Sequence, residues 1–218
     1  RPAQIPAWNA LSAGQKKVDA RLMEVYAAML AFQDYQFGRL LDELERMGIA
    51  QNTMILFIEG DNGSTAEGGP GGMLNETAQM ANGLRETLSE QLARLATFGG
   101  PDTMENYPAG WGWAMDSPFQ WTKQVASHLG GTRNPLVIAW PGHVPGGGRV
   151  RSQYAYVADI YPTLLDAAKL RVPKVVDGVT QQPLEGISLA YTFDDAGAKD
   201  RRTEQVYEMF GNRAIYQN

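Results

Sequence analysis

The stretch that most constrains this chain is Met54-Ile55-Leu56-Phe57-Ile58-Glu59-Gly60-Asp61-Asn62-Gly63, five consecutive apolar residues that end abruptly in acids, an amide and glycines. An apolar run of that length, bounded by turn formers, fits a strand buried on both faces, as in a parallel sheet covered by helices. Asp61 and Asn62 then stand at its carboxyl end, the edge at which open α/β sheets bind ligands. A carboxylate beside a side-chain carbonyl offers hard oxygen ligands of the kind Ca²⁺ and Mg²⁺ take. The same residues also make an ordinary turn, because Asp and Asn hydrogen-bond their own backbone and Gly accepts positive φ. Both readings stand at this point.

Upstream of the run, Val18, Leu22, Val25, Met29, Phe37, Leu40, Leu41 and Leu44 recur at helical spacing, and Ser12 is a suitable N-cap. The spacing predicts one long helix from about Gln15 to Met47, or two broken near Gly38, with Gly48 as its stop. Downstream, Leu84, Leu88, Leu92 and Leu95 predict a second amphipathic helix. The glycine-rich loop after Gly63 lacks Gly-Lys-Ser/Thr and a helix-opening Gly-x-Gly-x-x-Gly, so a phosphate-binding loop is rejected.

From Tyr107 to Trp121 the chain is dense in aromatic residues interleaved with Gly and Pro, read as a loop. Trp111, Trp113 and Trp121 either wall a pocket for an aromatic or sugar-bearing substrate or cover the core. A short buried strand follows at Leu136 to Trp140, and then a surface loop, Pro141 to Gly148, whose His143 is expected to be exposed. Tyr154 to Val157 is a further candidate strand, Asp159 a cap for a helix from Ile160 to Ala168, and 172–177 irregular. The charged stretch Asp194 to Arg202 reads as a solvated loop. Val206 to Phe210 and Arg213 to Tyr216, separated by Gly211-Asn212, predict a hairpin.

Composition narrows the function classes. Lys and Arg number 19 against 24 Asp and Glu, a net charge of −5, which gives no footprint for nucleic acid or a membrane surface. No apolar run approaches the roughly 20 residues that span a bilayer. The absence of cysteine excludes disulfides, thiolate metal sites and a cysteine nucleophile within these 218 residues. The architecture expected is α/β, a mostly parallel sheet flanked by helices, with a C-terminal β-hairpin.

Several stretches match one pattern in one order. Tyr26-Ala27-Ala28-Met29, Asp34 and Gly38-Arg39-Leu40-Leu41 precede Asn52-Thr53 and Asp61-Asn62-Gly63. After them come Gly130-Gly131-Thr132-Arg133-Asn134-Pro135-Leu136, Trp140-Pro141-Gly142, and Asp159-Ile160-Tyr161-Pro162-Thr163-Leu164-Leu165. Together they resemble the sulfatases of the alkaline-phosphatase superfamily. Glu67-Gly68-Gly69-Pro70 with Asn75-Glu76 is similar to the bacterial arylsulfatase branch.

The resemblance implies a partial alkaline-phosphatase-like sandwich and a chain that hydrolyses sulfate monoesters when complete. It implies that Asp61 and Asn62 help to hold a divalent cation, Ca²⁺ with Mg²⁺ as the alternative. Lys123 matches the lysine that contacts the sulfate and stabilises the leaving oxygen. His128 matches a position that donates to the sulfate or leaving group, or is structural, and Arg133 matches a loop anchor. The family's nucleophile is a formylglycine made within Cys/Ser-x-Pro-x-Arg, and no such motif occurs here; Ser117-Pro118 does not fit it.

Residues 1–218 are therefore expected to be one partial catalytic domain lacking the N-terminal half that carries the nucleophile, and inactive alone. The substrate is expected to be a small sulfate ester, with no nucleic-acid or membrane partner. Self-association or a complementing N-terminal chain is expected to cover the exposed sheet edge. Two other readings stand beside this one: a phosphonate or phosphodiester hydrolase of the same superfamily, and a non-catalytic binding or assembly module.

Overall fold

A computed structural model describes residues 1–145 and 147–218. Gly146, within the loop read as surface, lies outside the described residues. Helix α1 spans Ala13–Arg46, a single unbroken element in which Gly38 is accommodated. Gly48 follows with φ 71°, the left-handed conformation of a helix stop. Strand β1 is Ile55–Ile58. Then come α2 (Glu76–Asn82), α3 (Leu88–Ala93), α4 (Ala109–Asp116) and α5 (Leu129–Thr132). Strand β2 (Leu136–Ala139), helix α6 (Ile160–Ala167) and the strand pairs β3 (Val175–Val176) with β4 (Val179–Thr180) and β5 (Glu204–Met209) with β6 (Asn212–Gln217) complete the chain.

The mostly parallel sheet is not found. Among the described residues there are three two-stranded sheets, β1 with β2, β3 with β4 and β5 with β6. The β3–β4 pair is antiparallel. Next to β1 and β2, Glu59 donates to Pro135 O and Gly63 to Gly131 O, so partners step backward as residues step forward. That is the antiparallel pattern. The physical reason is visible in burial: β1 is half-buried at Ile55, Leu56 and Phe57 and exposed at Ile58. Five apolar residues specify a strand, but neither its neighbours nor their direction.

Other expectations are corrected in detail. The aromatic loop contains helix α4, with Pro108 as its N-cap residue. Tyr154 to Val157 is not a strand; a 3-10 turn forms at Val157–Asp159. The 172–177 region contains β3. The C-terminal hairpin is present, turning at Phe210 and Gly211 with φ of 52° and 82°, the two positive values of a type I′ turn. His143 is exposed, and its ring stacks on Trp140 with centroids 3.9 Å apart.

The chain divides into two compact units. One comprises Arg1–Arg46, Ile58–Leu136 and Tyr207–Ala214; the other comprises Met47–Phe57, Val137–Val206 and Ile215–Asn218. The core of the first is Val18, Leu22, Leu74, Phe98 and Tyr107, with Leu88, Leu92 and Trp111 against it. Only the amino-terminal third of α1 is buried, at Val18, Asp19 and Leu22. Complete burial of a Val or Leu side chain contributes roughly 1.5–3 kcal/mol. The second unit is organised by a buried polar centre on α6. Asp159 is 1% exposed, and its carboxylate accepts the Tyr156 and Ile187 amides at 2.8 and 2.7 Å and pairs with Arg202.

Candidate functional site

Every residue singled out from the sequence for chemistry lies in the first unit. The segment after β1 meets the segment before β2 at unusually short range. A β-carbon added to Gly63 would sit 1.5 Å from the carbonyl oxygen of Gly130. On the other side of the same backbone, a β-carbon on Gly130 would sit 2.1 Å from Trp121 O, and one on Gly131 2.3 Å from Val125 O. Three stretches, 61–64, 120–125 and 128–134, are thereby stacked backbone on backbone. Gly63 is needed for this approach rather than for positive φ; the left-handed glycine here is Gly60, φ 79°.

Hydrogen bonds fasten the stack. Gly63 N–H donates to Gly131 O at 3.2 Å, Lys123 N–H to Ser64 O at 3.0 Å and Gly130 N–H to Gln120 O at 2.9 Å. The Asn134 side chain, its amide oriented by its partners, donates to Asn62 O at 2.8 Å and accepts from Asn62 N–H at 3.0 Å. Asn134 thus holds the backbone of Asn62. Ser64 N–H donates to Asp116 at the end of α4 at 3.0 Å, and Thr65 N–H to the Tyr107 hydroxyl at 3.2 Å.

Asp61 is exposed and Asn62 half-buried, with Asn62 Nδ2 donating to Asp61 Oδ1 at 2.7 Å. Their oxygens are the right type for a hard cation. Their number is not: Ca²⁺ takes six to eight oxygens, and among the described residues no group of three or more His, Asp or Glu side chains converges to hold a metal. These residues do not form a metal centre by themselves.

Lys123 lies on the second stretch, its ammonium 3.1 Å from Glu67 Oε2. Glu67 also accepts from the Thr65 hydroxyl at 2.9 Å and from Gln124 Nε2 at 3.3 Å. Burial raises the Glu67 carboxyl, but the bonds from Lys123 and Thr65 and the Lys123 charge outweigh it, so the group is held below its ordinary value. Trp121 and Gln124, flanking Lys123, have φ of 65° and 74°. Non-glycine residues keep such conformations only where the surroundings over-determine them.

His128 stands at the start of α5, with Nδ1 2.8 Å from Ser127 Oγ and the Trp121 ring edge-on at 5.9 Å. Arg133 lies over the Phe119 ring at 5.0 Å. The three tryptophans differ in setting. Trp111 donates its indole N–H to Asp19 O at 3.0 Å and packs on the core, Trp113 is half-buried on α4, and Trp121 is exposed on the Lys123 stretch.

Sequence reasoning missed Glu67, Asn134 and Asp116. Each acts on a partner 50 or more residues away; Glu67 and Asn134 had a signal in their places in the Glu67 to Pro70 and Gly130 to Leu136 motifs, and Asp116 had none.

Comparison with known proteins supplies the frame for this geometry. The family model described as Sulfatase matches residues 3–170. The arylsulfatase of Klebsiella aerogenes is 28% identical over 197 residues, covering 90% of this chain and 40% of the relative. An uncharacterised sulfatase of Schizosaccharomyces pombe is 28% identical over 167 residues, covering 77% and 28%. The N-acetylgalactosamine-6-sulfatase of Mus musculus is 28% identical over 152 residues, covering 69% and 21%. The chain spans less than half the length of each of these relatives.

Proposed function

Because this chain belongs to the sulfatase family, we propose that it supplies one part of the catalytic machinery of a sulfuric-ester hydrolase acting on small sulfate monoesters, aryl sulfates first. The observation that carries the reading is the backbone convergence at Gly63, Gly130 and Gly131, which sets Asp61 and Asn62 beside the stretch bearing Lys123 and His128. Asp61 and Asn62 are two oxygen ligands of a divalent cation, Ca²⁺ with Mg²⁺ as the alternative. The remaining ligands belong to sulfatase sequence that this chain does not span. Lys123 neutralises charge on the sulfate and on the departing oxygen, where a positioned cation lowers the barrier most. With Nδ1 engaged by Ser127, Nε2 is the His128 nitrogen left to face the ester. Arg133 fixes the loop through Phe119, and the exposed Trp121 is the aromatic side of the substrate pocket.

The chain has neither cysteine nor a Cys/Ser-x-Pro-x-Arg motif, so the formylglycine nucleophile is assigned to the remainder of the catalytic domain. The 218 residues alone are expected to show no turnover of an aryl sulfate above background, with or without added Ca²⁺. Turnover at an ordinary enzymatic rate, roughly 1 s⁻¹ or more, would contradict the proposal.

The same remainder accounts for the outer part of α1. Beyond the buried Val18 and Leu22, the helix exposes Met29 at 54%, Phe32 at 63% and Leu40 at 55%. These three continue the buried side of α1 at helical spacing, and such a face is normally covered. Without that covering, the 23.9 kDa chain is expected to associate through this face. Light scattering should give a mass above the monomer that a Phe32→Glu, Leu40→Glu double variant restores to monomer. A monodisperse monomer of the unsubstituted chain would sink the assignment.

A further inference from the structure

Lys123 is not an open cation. Its ammonium rests on Glu67 at 3.1 Å, and Glu67 is itself held from two other directions by the Thr65 hydroxyl and the Gln124 amide. The arrangement is local to the proposed site: Thr65 and Glu67 follow Asp61 and Asn62 on one loop, and Lys123 N–H is bonded to Ser64 O on that loop. Both partners are partly open, with side chains 34% and 21% exposed. An anion arriving from solvent therefore reaches the pair, and meets a carboxylate already in the place an oxyanion would take.

We propose that Glu67 is the resting counter-ion of Lys123: it positions the ammonium on the loop that carries Asp61 and Asn62, and an entering sulfate oxyanion must displace it. The proposal rests on the assignment of Lys123 as the sulfate contact and adds a competitor to it. Three features support displacement rather than a permanent ion pair. A partly exposed pair is weak, so exchange costs little. Sulfate, like carboxylate, accepts charge-assisted hydrogen bonds from an ammonium. Thr65 and Gln124 retain Glu67 after the ammonium leaves, so the released carboxylate keeps two donors. Glu67 acts through Lys123 and is a positioning residue.

The test uses the 218-residue chain and inorganic sulfate, titrated at constant ionic strength and followed by the backbone amide shifts of residues 61–67 and 123–128. Glu67→Gln keeps an amide that Thr65 and Gln124 can still bond, but removes the competing charge. It is expected to bind sulfate about fivefold more tightly than the unsubstituted chain, the size of effect a weak ion pair allows. Lys123→Met is expected to abolish sulfate binding.

A folding defect lowers affinity, whereas removal of a competitor raises it, so the direction separates positioning from scaffolding. If Lys123→Met abolishes sulfate binding but Glu67→Gln binds no more tightly than the unsubstituted chain, the competitor role is overturned while the Lys123 contact stands. If Lys123→Met binds sulfate unchanged, the Lys123 assignment fails and takes the proposal with it.

Discussion

Replacing Arg202 with alanine is expected to destabilise the chain by about 3–5 kcal/mol, the cost of leaving one member of a buried ion pair alone. Asp159 is 1% exposed and Arg202, its partner, has an 11% exposed side chain. The Asp159 carboxylate is committed on both oxygens. Oδ1 takes the guanidinium and the Ile187 amide, and Oδ2 takes the Tyr156 amide. With the guanidinium gone, two neutral amides remain to face a full buried charge.

The loss spreads because Arg202 also bonds Gln205 and lies over the Tyr154 and Tyr156 rings at 5.7 and 5.8 Å. Asp200, two residues earlier, accepts from Tyr154 N–H and the Tyr216 hydroxyl. One charged segment thus ties α6 to the C-terminal strand within the second unit. Urea denaturation followed by circular dichroism measures the effect. Asp159→Leu combined with Arg202→Met should recover most of it, since removing both charges leaves none unpaired. An Arg202→Ala midpoint equal to that of the unsubstituted chain would show that water reaches the carboxylate.

That ion pair also shows where sequence reasoning stops. Helix α1 was legible because its 3.6-residue period persists over thirty residues, and its observed ends, Ala13 and Arg46, lie within two residues of those expected. Asp159 was legible only as a helix cap. It makes no side-chain cap bond to α6, because its oxygens are turned to Ile187, Tyr156 and Arg202 instead. Arg202 lies 43 residues away in a run of mixed charge, the pattern of a solvated face. Helix α4 was hidden by Gly110, Gly112 and the flanking prolines, weak helix formers whose cost tertiary packing offsets.

What the sequence offered for the site was residue types standing in local motifs, not the contacts that support them. Asp61, Asn62, Lys123 and His128 come from motifs whose residues are adjacent in sequence. Glu67 and Asn134 matter through contacts that form only after the three stretches stack. The parallel sheet was the largest error, and it has the same cause: strand identity is local, whereas strand partnership is not.

Gly63→Ala is expected to separate those stretches. Its β-carbon would fall 1.5 Å from a backbone carbonyl oxygen, and no side-chain rotation relieves a backbone clash. The loop must lift, at a cost of about 3 kcal/mol or more, the upper range of overpacking effects. Lifting breaks the Gly63 bond to Gly131, strains the Asn134 bridge to Asn62 and pulls Ser64 O from the Lys123 amide. Hydrogen exchange at the amides of Gly63 and Lys123 reads this directly, and both should lose protection even where the core around Leu22 and Leu74 keeps it. Gly130→Ala meets Trp121 O at 2.1 Å and should act on the same contact. The double variant should therefore cost less than the sum of the singles, because the second substitution finds the stack already open. A Gly63→Ala chain of unchanged stability with a protected Lys123 amide would mean that the two loops are not in contact. Asp61 and Asn62 would then have no fixed relation to Lys123.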